Sequence, residues 1–396
     1  MSRLGLPGGV WRLGWVSFFT DTASEMVYPL LPGFILKLRG GTPFVVGLIE
    51  GVAEAVNSVF KVLSGRRSDR TGARKPLVAF GYTVSSLARP IIAVAVSWWQ
   101  VLGLRFIDRF GKGVRGAPRA PLLAAIAPAG QKGKVFGFHR AMDHAGAIVG
   151  PLIATAYLAW RPEDYRGLFA LTILPGLIVI ALVWTTPEPK APVSPLLPAL
   201  PADLSWHALP PAARRVILIV LLFSLGNSTD AFLLLKLEAS GVEVTWLPLA
   251  WAALHVVKSA TSVAGGMLAD RIGYRAPIVA GWLWYAAIYA ALAFAQSASA
   301  VVALFLAYGL FFGLTEGPEK ALVAELAAPE VRGTAFGFYN ASLGVGVLAA
   351  SLLFGAIWTA VSPAAAFLTG AAIAVVAALL LALMIRENAK EDSGHE

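Results

Sequence analysis

Several apolar stretches of this chain carry charges where a lipid-facing helix would carry none. Arg105, Asp108, Arg109, Lys112 and Arg119 fall at i, i+3, i+4, i+7 and i+14 of one such stretch, which at about 100° per residue puts them on one helix face. A face with four cations cannot meet lipid, because an ionisable group at membrane depth is expensive unless paired or hydrated. It must face carboxylates, a watery cavity, or both. Arginine's planar fork suits a carboxylate or phosphate on a ligand. Arg105, Arg109 and Lys112 are therefore candidates for substrate binding, with Arg105 and Arg109 expected to face a cavity. Arg115, at the edge of the face, and Arg119 are candidates for a gate. The structural alternative is pairing with Asp21, Glu25, Glu50 or Glu54.

Carboxylates supply the other half of a proton-coupled mechanism. Asp21 sits near the middle of the first apolar stretch and Glu25 one turn beyond it, on the same face. Asp230 has a similar place in the second half of the chain. A carboxylate near cations in a low-dielectric cavity can change protonation when access or occupancy changes, so Asp21, Glu25 and Asp230 are the proton-coupling candidates. Further polar residues at membrane depth are Asp143 and His144, Asn227, and the one-turn pair His255 and Lys258, all expected to line a substrate site. Glu316 and Glu319 flank Pro318 and are read as gate residues. His139 and Asp143, also one turn apart, can share a proton or a metal. With Cys 0, His 5 and no HExxH pattern, however, no metal site and no cofactor are expected.

The elements that must hold these groups follow from composition. The 396 residues are 57% hydrophobic and 14% charged, with a mean hydropathy of +0.70, far from a soluble domain's roughly 25% charged. This excludes disordered and disulfide-stapled classes. At about 20 residues per span, the length fits about twelve transmembrane helices and leaves little for a soluble domain. Spans are expected near 11–37, 43–66, 76–98, 100–127, 134–160 and 166–186, then near 213–237, 244–269, 275–296, 299–328, 333–359 and 363–386. Between the two sets, Pro187 to Pro211 holds eight of the chain's 25 prolines, too many for a helix. No cleavable leader is expected in Met1 to Arg12, because the apolar run that follows continues to full span length. Basic residues crowd Arg66, Arg67, Arg70, Arg74 and Lys75, and recur at Lys132, Lys134, Arg214, Arg215, Arg271 and Arg275. The positive-inside rule makes that side, and with it both termini, cytoplasmic. The net charge of +9 is then an orientation signal, and no motif supports nucleic-acid binding.

An internal repeat ties the halves together. At an offset near 200 residues, Gly65, Asp69, Arg70, Gly72 and Arg74 recur as Gly266, Asp270, Arg271, Gly273 and Arg275, and Gly133-Lys-Val-Phe-Gly-Phe138 recurs as Gly333-Thr-Ala-Phe-Gly-Phe338. Two six-helix repeats around a central site are the architecture of secondary transporters. The expected domains are an N-terminal bundle over 1–187, a cytoplasmic proline-rich linker over 188–212, a C-terminal bundle over 213–387 and a tail over 388–396.

Over its whole length the chain resembles the major facilitator superfamily. The loop Gly65-Arg-Arg-Ser-Asp69-Arg70-Thr-Gly72-Ala-Arg74-Lys75 looks like that family's cytoplasmic gating motif, so the resemblance implies gate roles for Gly65, Asp69, Arg70 and Arg74, and for Asp270 and Arg271 in the second copy. Gly137, Gly146, Gly150 and Pro151 fit the spacing that the family associates with antiporters, although Ala154 stands where a glycine is expected. Arg105 suits the family's helix 4 arginine, while Arg109 stands in place of a glycine. Phe18 to Pro29, Asp108 to Arg115 and Gly226 to Phe232 are similar to a broad, largely uncharacterised bacterial branch.

The expectation is an all-α membrane protein of twelve transmembrane helices in two pseudo-symmetric six-helix bundles. It would be a monomer in the inner (plasma) membrane whose partners are lipid, protons and a small-molecule substrate. Its function would be proton-coupled efflux, by alternating access, of a small organic molecule or drug. The alternatives are import or exchange of an anionic metabolite or metal complex, and a membrane receptor that does not transport. No Ser-His-Asp, HExxH or Gly-x-Ser-x-Gly arrangement stands at membrane depth, so no enzyme activity is expected.

Overall fold

The structure, a computed structural model, describes residues 6–71, 74–128, 131–186, 205–328 and 331–384, and these are helical almost throughout. The first half runs α1 (Gly8–Val27), a 3-10 turn at Tyr28–Leu30, α2 (Leu31–Lys37), α3 (Pro43–Thr71), α4 (Arg74–Ile91), α5 (Trp98–Ile126), α6 (Lys132–Trp160), α7 (Tyr165–Leu171) and α8 (Ile173–Thr185). The second runs α9 (Pro211–Gly226), α10 (Ala231–Ala239), α11 (Leu247–Ile272), α12 (Arg275–Phe294), α13 (Ala298–Leu326), α14 (Arg332–Ala360) and α15 (Pro363–Met384). Taken as rods, with α1 and α2, α7 and α8, and α9 and α10 each forming one, they follow the expected spans to within a few residues. Of the linker expected over 188–212, residues 188–204 lie outside the described residues, as does the tail over 388–396.

Eight of the described helices are long and apolar enough to cross a membrane. The rods that miss that composition are α1 with α2, α5, α6 and α11, and they carry most of the charges singled out above, Glu50, Glu54, Asp230, Glu316 and Glu319 lying on others. Their charge is accommodated by the bundle interior, as membrane proteins require.

Packing within each half follows the repeat. α5 lies against α3 and α4, and α1 against α6 and α8; in the second half α13 lies against α11 and α12, and α9 against α14 and α15. Small residues let these rods touch. A side chain at Gly146 would strike the backbone carbonyl of Phe18, and one at Gly150 that of Thr22, so both glycines set the α1 to α6 spacing.

The halves meet through α3 on α14 and α6 on α11. Two rods break where they face each other across this seam. Pro29 and Pro32 interrupt the first rod at the 3-10 turn, as the sequence suggests. The seventh rod, expected to be continuous over 213–237, unwinds between α9 and α10 at Asn227-Ser-Thr-Asp230. These are residues whose short polar side chains compete for backbone hydrogen bonds. The Tyr28 hydroxyl meets Thr229 Oγ1 at 3.3 Å, so the two breaks touch.

Candidate functional site

Between the halves lies a cavity of about 450 Å³. Its walls come from α1 (Asp21, Glu25), α3 (Asn57, Lys61), α5 (Lys112, Arg115, Arg119), α6 (Arg140, Asp143, His144), α11 (His255, Lys258, Ser259, Ser262) and α13 (Phe312, Glu316). Six cationic side chains thus face four carboxylates and two histidines, with Phe312 the single aromatic wall. A second cavity of about 530 Å³ shares Asn57 and Lys61 with the first and extends between α3 and α14 past Gly65, Arg66, Gly333 and Gly337. The site is therefore approached from the end that bears the basic loops.

The opposite end is shut. Tyr28 packs on Trp251 at 4.9 Å between ring centroids, and the Trp251 indole N–H donates to Glu25 Oε2 at 2.7 Å. His255 Nε2 lies 3.9 Å from the same oxygen. Glu25 of the first half is thus held by two residues of the second. Further out, backbone at Gly47 lies against Ser351, and Gly355 against Phe44.

Beneath the cavity floor, charges are consumed by one another. Arg105 grips Glu50 through two hydrogen bonds of 2.7 and 3.0 Å and reaches Asp108 at 3.4 Å. Asp108 also accepts from Arg89 at 3.0 Å, whose other arm donates to the Thr20 carbonyl at 3.0 Å. Arg109 pairs with Glu54 at 3.6 Å. Arg105 and Arg109, expected to face the cavity, are buried and line no part of it. The helix period put them on the correct shared face, but α3 presents Glu50 and Glu54 one turn apart, in register to neutralise them. Arg89, embedded in α4, escaped the sequence reading although a lone arginine in an apolar stretch was the sign.

Toward the cavity the pairing loosens. Arg115 donates to Ser85 at 2.8 Å and lies over the Tyr82 ring. Arg119 reaches Ser17 at 3.3 Å, Tyr82 at 3.4 Å and Asp143 at 3.9 Å. Asp143 also accepts from Ser17 and stands 3.5 Å from His139 Nδ1. Arg119 and Arg115, read as gate residues, line the central cavity instead. Asp230, placed among the coupling carboxylates, is outside the lining: Lys258 pairs with it at 3.1 Å and Tyr308 donates to it at 2.8 Å. Asn227 lies in the unwound segment and does not reach the cavity. Glu316 pairs with Lys320 at 3.0 Å. Glu319 turns away and is buried between Trp282 and Tyr339, both donating at 3.0 Å.

Among the described residues, Asp21, Lys61 and Lys112 make no hydrogen bond or ion pair through their side chains, although all three line the cavity. Lys61 and Arg140 were missing from the expected set; a lysine one turn before Gly65 was as legible as Lys112. Of the gating loops, Gly65 lines the second cavity, Arg74 opens α4 and Asp270 and Arg271 are exposed at the end of α11. The side chains of Asp69 and Arg70 lie outside the described residues. No group of three His, Cys, Asp or Glu fit to hold a metal occurs among the described residues.

Comparison with known proteins gives consistent matches. The profile described as Major Facilitator Superfamily matches residues 13–254 and 218–396. An uncharacterized MFS-type transporter of Methanocaldococcus jannaschii is 30% identical over 382 residues, covering 95% of this chain and 94% of that protein. The multidrug resistance protein MdtH of Aeromonas hydrophila is 24% identical over 347 residues, covering 85% of this chain and 84% of its own. Among solved structures, the nucleoside transporter NupG superposes with a TM-score of 0.80 at 14% identity, over 96% of this chain and 100% of that one, a likeness of fold.

Proposed function

Since the chain belongs to the major facilitator superfamily, we propose that this membrane transporter is a proton-coupled carrier that moves a small charged organic solute by alternating access. The observation that carries this reading is the polar cavity between the halves, reached from the basic-loop end and shut at the other by Tyr28, Trp251 and Glu25. Rocking the halves about α3 on α14 and α6 on α11 would break the outer contacts and close the inner cleft around the same site. We read the basic end as cytoplasmic, both termini as cytoplasmic, the membrane as the inner one, and the unit as a monomer of twelve crossings in the two bundles expected from the sequence.

Asp21 is the best placed of the three coupling candidates. Glu25 is held by Trp251 and Asp230 by Lys258 and Tyr308, whereas Asp21 lines the cavity and makes no direct bond to any described residue. It can take and release a proton without first breaking a bond. Export by antiport is supported by the glycine spacing of α6 and by the similarity to MdtH. A second reading, import or exchange of an anionic metabolite or metal complex, is favoured by the cationic excess of the walls.

The test is reconstitution in liposomes loaded with a pH-sensitive dye, challenged with a panel of organic anions, amino acids and lipophilic cations. The wild-type protein is expected to move protons with at least one solute. Asp21→Asn is expected to lose gradient-driven accumulation while retaining solute exchange, the signature of a carrier uncoupled from protons. Undiminished accumulation by Asp21→Asn would remove Asp21 from the coupling role.

A further inference from the structure

Lysine at membrane depth that bonds to nothing is the feature of this cavity that the pairing scheme leaves over. Lys61 and Lys112 line the cavity, and neither makes a hydrogen bond or ion pair to a described residue. Their neighbours make the imbalance worse. The Lys61 stem lies along Gly116 of α5, one turn from Lys112. Lys112 stands within electrostatic reach of Arg109 and Arg115, and Lys61 of Arg119 and Lys320. Glu54, a carboxylate within electrostatic reach of both, is engaged by Arg109 at 3.6 Å and accepts from Asn57 at 3.3 Å. Asp21 faces the same space but bonds to neither lysine.

The internal repeat argues that these lysines are not part of the scaffold. In the second copy Ser262 stands for Lys61, at the same spacing that relates Gly65 to Gly266, and Phe312 stands for Lys112. The second half thus packs the same two helices with neither lysine, and its own cation there, Lys258 over the Phe312 ring, is paired with Asp230. Both lysines are exposed to the cavity, where water tempers their repulsion, and a cleft lined by an excess of one sign draws in and holds a ligand of the opposite sign. The lining rules out a large apolar partner: Phe312 and Ala147 are the apolar side chains, among charged and hydroxyl-bearing ones.

We propose that Lys61 and Lys112 form the anion-binding subsite of the cavity, and that the transported solute is a small, soluble organic anion carrying a carboxylate or phosphate. This rests on the transporter reading above and holds for either direction of transport. The anionic group would lie between α3 and α5. On the opposite wall the hydroxyls of Ser259, which meets His144 Nδ1 at 3.4 Å, and Ser262, which donates to the Lys258 carbonyl at 2.6 Å, keep lone pairs that can accept from the remainder of the solute.

The experiment is thermal unfolding of the full-length protein in detergent, at constant ionic strength so that screening is equal throughout. The ligands are citrate, glycerol 3-phosphate, inorganic phosphate, glycerol, tetraphenylphosphonium and phosphatidylglycerol micelles. Saturable protection by citrate or glycerol 3-phosphate, with none from glycerol, is expected. Lys61→Gln and Lys112→Gln should each weaken it about tenfold, the effect of one charged hydrogen bond. Lys112→Arg should keep most of the affinity, and Lys37→Gln, on the far side of the molecule, all of it. Since neither lysine bonds to protein, the unliganded variants should melt no lower than wild type, which separates loss of binding from loss of fold.

Equal protection of wild type and both glutamine variants would overturn the subsite. So would protection by none of the three soluble anions, by tetraphenylphosphonium alone, or by phosphatidylglycerol alone, the last marking a lipid headgroup in place of a solute. Proton flux with a neutral or cationic solute, combined with unfolding blind to anions, would leave the transporter standing and remove this proposal alone.

Discussion

Charged residues in this bundle divide by what they touch. Glu50, Arg105, Asp108 and Arg89 form a closed buried chain with distances of 2.7 to 3.4 Å, while Asp21, Lys61 and Lys112 stand open to the cavity. Removing one member of a buried pair strands its partner, at a cost of about 3–5 kcal/mol. Glu50→Gln is therefore expected to lower stability by that order, read as a large fall in the unfolding temperature in detergent. Lys320→Gln, which breaks the half-exposed pair with Glu316, should change it by less than about 1 kcal/mol. Comparable losses in the two variants would show that the buried chain carries no special weight. The sequence made the α5 stripe legible because helical period alone fixes a shared face. It did not separate Arg105 from Lys112, because that depends on where α3 presents Glu50 and Glu54, a matter of packing and not of period.

At the level of helices, the two halves solve one packing problem with different chemistry. Ser85, Arg89, Arg105 and Asp108 of α4 and α5 correspond to Tyr285, Tyr289, Phe305 and Tyr308 of α12 and α13. The ion network of the first half is replaced in the second by stacked rings, Tyr285 on Tyr289 at 4.0 Å among them. The repeat offset made the correspondence legible, but not that one set would bond as ions and the other stack. Glycines keep their roles in both. Gly146 fits α6 against Phe18 of α1, and Gly346 fits α14 against Ser224 of α9. Gly150→Val is thus expected to cost about 1–3 kcal/mol by overpacking, whereas Gly137→Ala, with open space around it, should be neutral or gain up to about 1 kcal/mol of helix propensity. Detergent unfolding of the two variants checks the contrast, and equal effects would contradict the assigned contacts. The kink of the first rod was legible from Pro29 and Pro32. The break before Asp230 was not, since it carries no proline and follows from side chains competing with the helix backbone.

Across the whole molecule, the contacts between halves concentrate at one end. Tyr28, Trp251, Thr229 and Glu25 close it, and the cleft past Lys61 and Gly337 opens at the other. The two-bundle plan was legible because repeat, proline-rich break and basic loops all report it independently. Which end is open was not, because it depends on how the two bundles tilt against each other, which periodicity and repeat do not report. The α6 and α11 rods, which cross between the halves, give the most direct test. The chain has Cys 0, so spin labels can be placed at will. Lys134→Cys with Ile272→Cys reports the basic end of these rods, and Arg161→Cys with Glu243→Cys the opposite end. Distances measured by pulsed electron resonance in lipid nanodiscs at pH 5.5 and pH 8 are predicted to shift in opposite senses at the two ends, one shortening as the other lengthens, with Asp21→Asn abolishing the pH response. Distances that move together at both ends, or that move at neither, would contradict proton-coupled alternating access.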